Sequence, residues 1–202
     1  MTGNSSIDTS VTDIWRTWRN FRRGKKPSRA ILIFEAELEE NLLLLCRDLN
    51  SGTYRHSDYS HKIVNEKKRR DIFVASVRDR VVHRLLYDYL TPIFDPVLDY
   101  DVWSCRVGKG LHACLWRVAN LMTRFPDAWV WRADISKFFD NVNQDVLKNC
   151  LIRRVSDPRA LELCYEIINS YYCPTGGGQT IDFLMRVCCN GKVTINKVAK
   201  KG

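Results

Sequence analysis

The chain has 202 residues, of which 45% are hydrophobic, and its mean hydropathy of -0.29 is typical of an ordinary soluble protein. Lysine and arginine number 32 against 23 acidic residues, which gives a formal net charge of +9 and a pI near 9.2. This balance predicts a polyanionic partner, with nucleic acid as the first candidate, and the longest apolar stretches are too short for a membrane span.

The positive charge is concentrated in two clusters, at residues 16–29 and 67–70. Short runs of this kind form either a merely solvated face or a set of phosphate contacts. The six Trp, eight Tyr and eight Phe offer stacking surfaces nearby, which favours phosphate contact. The nucleic-acid-binding residues predicted in the first cluster are Arg22, Arg23, Lys25 and Lys26.

Eight cysteines show neither a CxxC pair nor the framework of a small disulfide-rich domain, and no signal peptide is recognised. The four histidines do not lie beside them at zinc-ligand spacing. Cys46, Cys150 and Cys164 fall on apolar helix faces, where core packing explains them. We therefore expect reduced thiols in a cytoplasmic protein.

In the first third of the chain, the apolar periodicity predicts two helices. The first spans residues 11–21, with Ser10 or Thr12 as its cap, and ends in the basic RRGKK segment. The second carries apolar residues every three or four positions from Phe34 to Leu49 and stops at the SG pair 51–52. Short β-prone runs at 61–64 and 71–75 flank a polar, basic segment and predict a hairpin with a positively charged tip.

Further along, helices are predicted over 77–89, ended by Pro92, and over 111–125, both facing a common core. Residues 128–134 are rich in aromatic and β-branched side chains and predict a central strand.

Two more helices are predicted after residue 142. Asn143 is a suitable cap for one of them, and the pair Asp157-Pro158 is a suitable start for the other. The order of elements indicates the α+β class.

Four collinear segments, taken together, carry a family resemblance: NLLLLCRDLNSGTYRHSDY at 41–59, KKRRDIFVASVRDRVVHRLLYDYLTPIFD at 67–95, VWSCRVGKGLHA at 102–113 and WRADISKFFDNV at 131–142. They resemble reverse transcriptases of the bacterial reverse transcriptase/maturase type, the group of group II intron, retron and diversity-generating retroelement enzymes. The resemblance covers roughly residues 10–175. It implies a right-hand polymerase fold with fingers, palm and a helical N-terminal region.

The resemblance implies the positions of a two-metal polymerase site. Asp134 matches the first catalytic, metal-binding aspartate, with the Ile135 carbonyl as an additional ligand for Mg²⁺, or Mn²⁺ in its place. From the residue alone, a turn or cap role explains Asp134 better than metal binding does. Lys68 and Arg70 match the KxRxI pattern that holds an incoming deoxynucleoside triphosphate. Phe139 matches the aromatic steric gate, although core packing also explains it.

Two further elements match the family's contacts with an RNA template and primer. Arg106 and Lys109 lie in SCRVGKG, whose glycines permit close backbone approach to nucleic acid. The RDR at 78–80 matches an ion-paired structural element that also faces template or primer. The motifs specify no accessory protein.

The resemblance ends near residue 175. The family has a G-x-P-x-G-x-x-x-S-Q stretch and then a YxDD hairpin, whereas this chain continues TGGGQTIDFLMRV and contains no DD. Asp182 stands alone and is too close to Asp134 to replace that pair. We hypothesise a divergence of reading frame near 176–180. The predicted organisation is then an N-terminal basic helix and linker (1–30), fingers (31–127), partial palm (128–178) and divergent tail (179–202).

Two functions follow from the sequence. The first is an RNA-directed DNA polymerase domain that extends a primer 3′ end in the intact family, with this chain truncated and inactive. The alternative is a non-catalytic, maturase-like RNA-binding protein that uses the basic clusters and does not depend on Asp134.

Overall fold

The structure of this protein, a computed structural model, describes residues 6–65, 69–130, 133 and 142–170. Helices and one β-hairpin make up its regular structure in these ranges. A short 3₁₀ helix follows the fourth α-helix. In chain order the elements are α1 Val11–Arg22, α2 Arg29–Ala36, α3 Leu38–Ser51, β1 Ser60–Asn65, β2 Arg69–Val74, α4 Val77–Phe94, α5 Leu111–Arg124, α6 Gln144–Ile152 and α7 Pro158–Ser170.

Side-chain caps fix where several helices begin. The Ser10 hydroxyl accepts from the Asp13 N–H and starts α1, which confirms one of the two predicted caps. Asn143 accepts from the N–H groups of the second and third residues of α6, and Pro158 opens α7. Both of these predicted helices are confirmed.

The predicted second helix is two helices. Its apolar repeat runs from Phe34 to Leu49, but the backbone breaks at Glu37, which has φ -126° and ψ 43°. Phe34 therefore belongs to α2, and the later apolar positions belong to α3. The predicted stop is confirmed, because Gly52 adopts the left-handed conformation, φ 72°, that closes a helix.

The predicted hairpin is confirmed. Strands β1 and β2 pair antiparallel, with Ser60 opposite Val74 at the open end and Asn65 opposite Arg69 at the closed end. The three residues of the tip, including Lys68, lie outside the described residues.

Helix α4 does not end at Pro92, contrary to the prediction. It continues to Phe94, with Pro92 in its last turn, and passes into the 3₁₀ helix Asp95–Val97. A proline this close to a helix C-terminus removes one intrahelical hydrogen bond but interrupts no later turn. The helix also holds Leu90 and Phe94 fully buried, and that burial favours the extra turn.

One apolar core joins segments that the sequence assigns to the N-terminal region, the fingers and the partial palm. Helices α1, α2 and α7 pack on α4, α3 packs on α1 and α2, and α6 packs on α7. Its largest fully buried side chains are Phe94, Ile14, Leu42, Leu45, Leu85, Leu86, Leu90, Leu151, Ile167 and Ile168.

Helix α5 forms as predicted but does not share this core. None of its side chains is buried, and the apolar Leu111, Leu115, Trp116 and Met122 are exposed among the described residues. The prediction that α4 and α5 face a common core is therefore wrong for α5. The predicted central strand does not form at 128–130, where Trp129 is 99% exposed, and most of its remainder lies outside the described residues.

The segment before α1 is tied to the start of α7. The Ile7 N–H donates to Asp157 Oδ2 at 2.5 Å, and the Arg159 guanidinium donates to the Thr9 hydroxyl at 2.9 Å and to Asn50 Oδ1 at 3.2 Å. The bonds of Ile7 and Thr9 join residues 150 positions apart, and the bond to Asn50 spans 109 positions. Within the described ranges, no helix combines the length and apolar character that crossing a membrane requires.

Candidate nucleic-acid interface

A buried carboxylate, Asp79, joins the loop after α3 to the start of α4. The Tyr54 hydroxyl donates to Asp79 Oδ1 at 2.8 Å, while the Ser76 hydroxyl (2.6 Å) and the Ser57 N–H (3.2 Å) donate to Oδ2. Ser76 Oγ also accepts from the Asp79 N–H at 3.1 Å and caps α4. Because Asp79 has no exposed surface, these protein donors take the place of the hydrogen bonds that water would otherwise donate to its carboxylate.

The ion-paired element predicted at residues 78–80 is confirmed for Arg78 and Asp79. Arg78 Nη2 donates to Asp48 at 2.7 Å, and its Nη1 lies 3.9 Å from Asp79 Oδ1. Burial, followed by the Asp79 charge, raises the pKa of Tyr54, so its hydroxyl keeps its proton and remains a donor. Arg80 has no carboxylate partner among the described residues.

Two stacked histidines lie beside this carboxylate. His56 Nδ1 is 2.7 Å from the Ser57 carbonyl, which only accepts, so Nδ1 carries a proton. His56 Nε2 lies 3.1 Å from His83 Nε2, so one of these two nitrogens donates a hydrogen bond to the other. Burial, and then the proximity of His56, lower the pKa of His83 to about 4. His83 is therefore held neutral at physiological pH.

The hairpin presents Arg70 on an exposed strand. Arg70 pairs with Val64 in register and, because alternate strand residues point to one face, shares that face with the half-buried Ile72. Lys68, the other predicted triphosphate contact, lies outside the described residues. The nucleotide-binding role of both stays a prediction.

The predicted basic residues at the turn between α1 and α2 differ in their surroundings. Arg22 Nε pairs with Glu35 at 2.7 Å, and the Lys25 ammonium donates to the Phe21 carbonyl and lies 3.9 Å from the centroid of that ring. Arg23 and Lys26 are exposed and form no side-chain hydrogen bond or ion pair within the described residues. These two are the most available for phosphate contact.

Arg106 holds the loop before α5 in shape. Its guanidinium donates to Asp95 Oδ1 at 2.7 Å, to the Asp95 carbonyl at 3.0 Å and to the Asp99 carbonyl at 2.9 Å, with longer bonds of 3.4 Å to Asp95 Oδ2 and the Val102 carbonyl. All five N–H donors of an arginine are thus engaged inside the protein. A contact between Arg106 and nucleic acid stays a prediction, and it would use the guanidinium face or displace one of these bonds.

Lys109 lies in the same loop, against two aromatic rings. Its ammonium donates to the Tyr100 carbonyl and lies 4.1 Å from the Tyr100 centroid and 4.9 Å from that of Trp103. Gly108 adopts φ 74°, a left-handed backbone conformation that would be strained in a residue with a side chain. The loop therefore positions Lys109 through its aromatic neighbours.

The predicted catalytic centre lies outside the described residues. This holds for Asp134, Ile135 and Phe139, so their roles stay predictions. Within the described ranges, no group of three or more His, Cys, Asp and Glu side chains could hold a metal ion.

Sequence reasoning placed Arg80 in the RDR element but missed Arg84, and it missed that both arginines lie near the turn between α1 and α2. Arg80 lies 5.6 Å from the Phe21 ring centroid, and the charges of both arginines act on Lys25. A signal was present, because arginines four positions apart share one helix face. The partner of that face could not be found from local sequence.

No family model matches the chain. It is 25% identical to protein YkfC of Escherichia coli over 149 residues, which is 71% of this chain and 39% of YkfC. It is 22% identical to the group II intron-encoded protein LtrA of Lactococcus lactis over 138 residues, 66% of this chain and 22% of LtrA. With nuclear intron maturase 1, mitochondrial, of Arabidopsis thaliana it shares 30% over 86 residues, 43% of this chain and 12% of that protein.

The chain is a relative of group II intron-encoded proteins and maturases. This finding confirms the resemblance of the motifs to the reverse transcriptase/maturase type. The chain spans well under half the length of each of these relatives.

Proposed function

We propose that this chain binds structured RNA through the N-terminal basic helix and linker of a reverse transcriptase of the intron-encoded type. The observation that carries this proposal is the exposed pair Arg23 and Lys26, which have no carboxylate partner among the described residues although Arg22, beside them, is paired. Unpaired cations on a basic protein bind phosphates with release of counterions. The relationship to a maturase supports RNA as the polyanion.

The polymerase chemistry of the intact family is part of the proposal. It assigns the α+β right-hand fold to the chain, with Asp134 and the Ile135 carbonyl as magnesium ligands. Magnesium would neutralise charge on the triphosphate during transfer to a primer 3′ end. Arg70 and Lys68 would hold the triphosphate, and Phe139 would select deoxynucleotides.

The purified 202-residue chain is expected to give no template-dependent DNA synthesis, because two-metal chemistry needs carboxylates from two segments and the sequence supplies one. The measurement is incorporation of labelled deoxynucleotide on an RNA template with a DNA primer, in Mg²⁺ and in Mn²⁺. Incorporation that disappears in Asp134→Ala would overturn this expectation and establish a complete site.

A maturase-like role without catalysis is the second candidate. Two observations favour it: the N–H donors of Arg106 are all bonded within the protein, and Arg23 and Lys26 have no carboxylate partner among the described residues. It differs from the first in one respect: RNA affinity should be the same in Asp134→Ala as in the wild type.

RNA binding should weaken roughly tenfold at about 0.1 M salt in the double variant Arg23→Gln/Lys26→Gln, and the slope of log affinity against log salt should fall by about 2 units. Fluorescence anisotropy with a labelled RNA hairpin measures both quantities. The control Arg124→Gln/Lys148→Gln removes the same charge from α5 and α6. Equal losses in the two double variants would mean that net charge alone drives binding.

A further inference from the structure

Two cations from distant parts of the sequence meet at one aromatic ring. Lys25 Nζ lies 3.9 Å from the Phe21 centroid, and the Arg80 guanidinium carbon lies 5.6 Å from it. Phe21 ends the buried face of α1, and Arg80 is in the first turns of α4, so the packing of α1 on α4 creates the arrangement. Cation–π attraction holds both charges at the ring.

The neighbouring arginines are neutralised, whereas these two cations are not. Arg84 pairs with Asp88 at 2.9 Å, and Arg22 pairs with Glu35 at 2.7 Å. Within the described residues, neither Lys25 nor Arg80 has a carboxylate partner. The only hydrogen bond of the Arg80 side chain found there joins Nε to the Ser76 carbonyl at 3.4 Å.

The uncompensated charge has an energetic cost. Burial lowers the pKa of Lys25, and the charges of Arg84, Arg80 and Arg22 lower it further. Burial also lowers the pKa of Arg80. A bound anion would offset this repulsion at short range, where screening by salt is weak.

We propose that Lys25 and Arg80 form a phosphate-binding site that takes a backbone phosphate of bound RNA. The Lys25 ammonium uses one donor on the Phe21 carbonyl and keeps two, and the Nη1 and Nη2 groups of Arg80 have no partner among the described residues. Charged N–H donors from two cations at one ring suit a phosphate, whose oxygens accept several hydrogen bonds at once. The identity of the ligand as RNA rests on the proposed function, and the site itself does not.

The site is tested first with inorganic pyrophosphate as the probe. The melting temperature of the 202-residue chain is measured in sodium pyrophosphate and in sodium chloride of equal ionic strength. The wild type and the control Arg124→Gln, which also places its arginine over a phenylalanine ring, should rise by roughly 3 °C in pyrophosphate. Arg80→Gln and Lys25→Gln should lose that rise, and Arg80→Lys should keep most of it.

An equal rise in Arg80→Gln and in the wild type would overturn the site, as would a wild type that responds alike to both salts. Should Arg80→Gln not fold in chloride, Lys25→Gln, in the turn between α1 and α2, gives the same readout.

The RNA assignment is tested by anisotropy with the labelled RNA hairpin. Arg80→Gln should bind roughly tenfold more weakly, with a salt slope lower by about 1 unit, and Arg124→Gln should bind as the wild type does. Loss of pyrophosphate protection with unchanged RNA affinity would show a site for free phosphate and overturn the RNA assignment. A wild type that binds no RNA would refute the proposed function, while the pyrophosphate measurement would still decide the site.

Discussion

Replacing Asp79 with alanine is expected to lower the free energy of unfolding by about 3–5 kcal/mol, the typical effect of removing one partner from a buried charged network. The substitution leaves the Tyr54 hydroxyl, the Ser76 hydroxyl and the Ser57 N–H without their acceptor in a site closed to water. Since a domain has only about 5–15 kcal/mol of stability, this loss removes a large fraction of it and should lower the urea midpoint of unfolding markedly. Urea denaturation followed by tryptophan fluorescence measures the change.

Asp145→Ala is the matched control. Its carboxylate is 87% exposed and lies 3.8 Å from the Lys148 ammonium, so its removal should change stability by about 0.5 kcal/mol or less. Asp79→Asn should fall between the two variants, because its amide oxygen can still accept from one donor. A loss below about 1 kcal/mol for Asp79→Ala would show that these donors find other partners.

Acid is expected to destabilise the protein through His83, by about 3 kcal/mol between pH 6.5 and pH 4. The folded pKa of His83 is about 4, below the 6.5 of an unfolded histidine, so the unfolded state binds the proton more strongly. This contribution is complete above pH 6.5 and is lost as the pH falls towards 4. The groups that act on His83 are His56 and Arg80, which lower its pKa, and Asp79, which raises it.

Carboxylates also titrate in this range, so the test is a difference between variants. Urea denaturation at pH 7 and pH 4 should show a loss of stability that is about 3 kcal/mol smaller in His83→Gln than in the wild type. His112→Gln, which replaces an exposed histidine on α5, should follow the wild type. An identical pH dependence in His83→Gln and the wild type would assign the acid sensitivity to other groups.

Local signals were sufficient where one residue decides the backbone. Ser10, Gly52, Asn143 and Pro158 mark helix ends through their own hydrogen bonds or dihedral preferences, and the structure confirms each of them. The break at Glu37 carried no such signal, because the apolar repeat continues across it with helical spacing.

Tertiary packing explains the remaining differences. Amphipathic spacing predicted that α5 has an apolar face, but it could not show what that face contacts. The network around Asp79 and His56 includes a bond from the His56 N–H to Glu166, 110 residues away, which no local pattern indicates. The predicted polymerase site depends on family motifs, since a single aspartate at a strand end would not identify it.

The bonds from Ile7 and Thr9 to the start of α7 have a consequence for synthesis on the ribosome. At roughly 5–20 residues per second, the 150 residues between Ile7 and Asp157 take about 8–30 s to translate. Throughout that interval the nascent N-terminal segment lacks the groups that anchor it at α7. We therefore expect this segment to complete its contacts only after the start of α7 has been synthesised, and to be more accessible to chaperones and proteases until then.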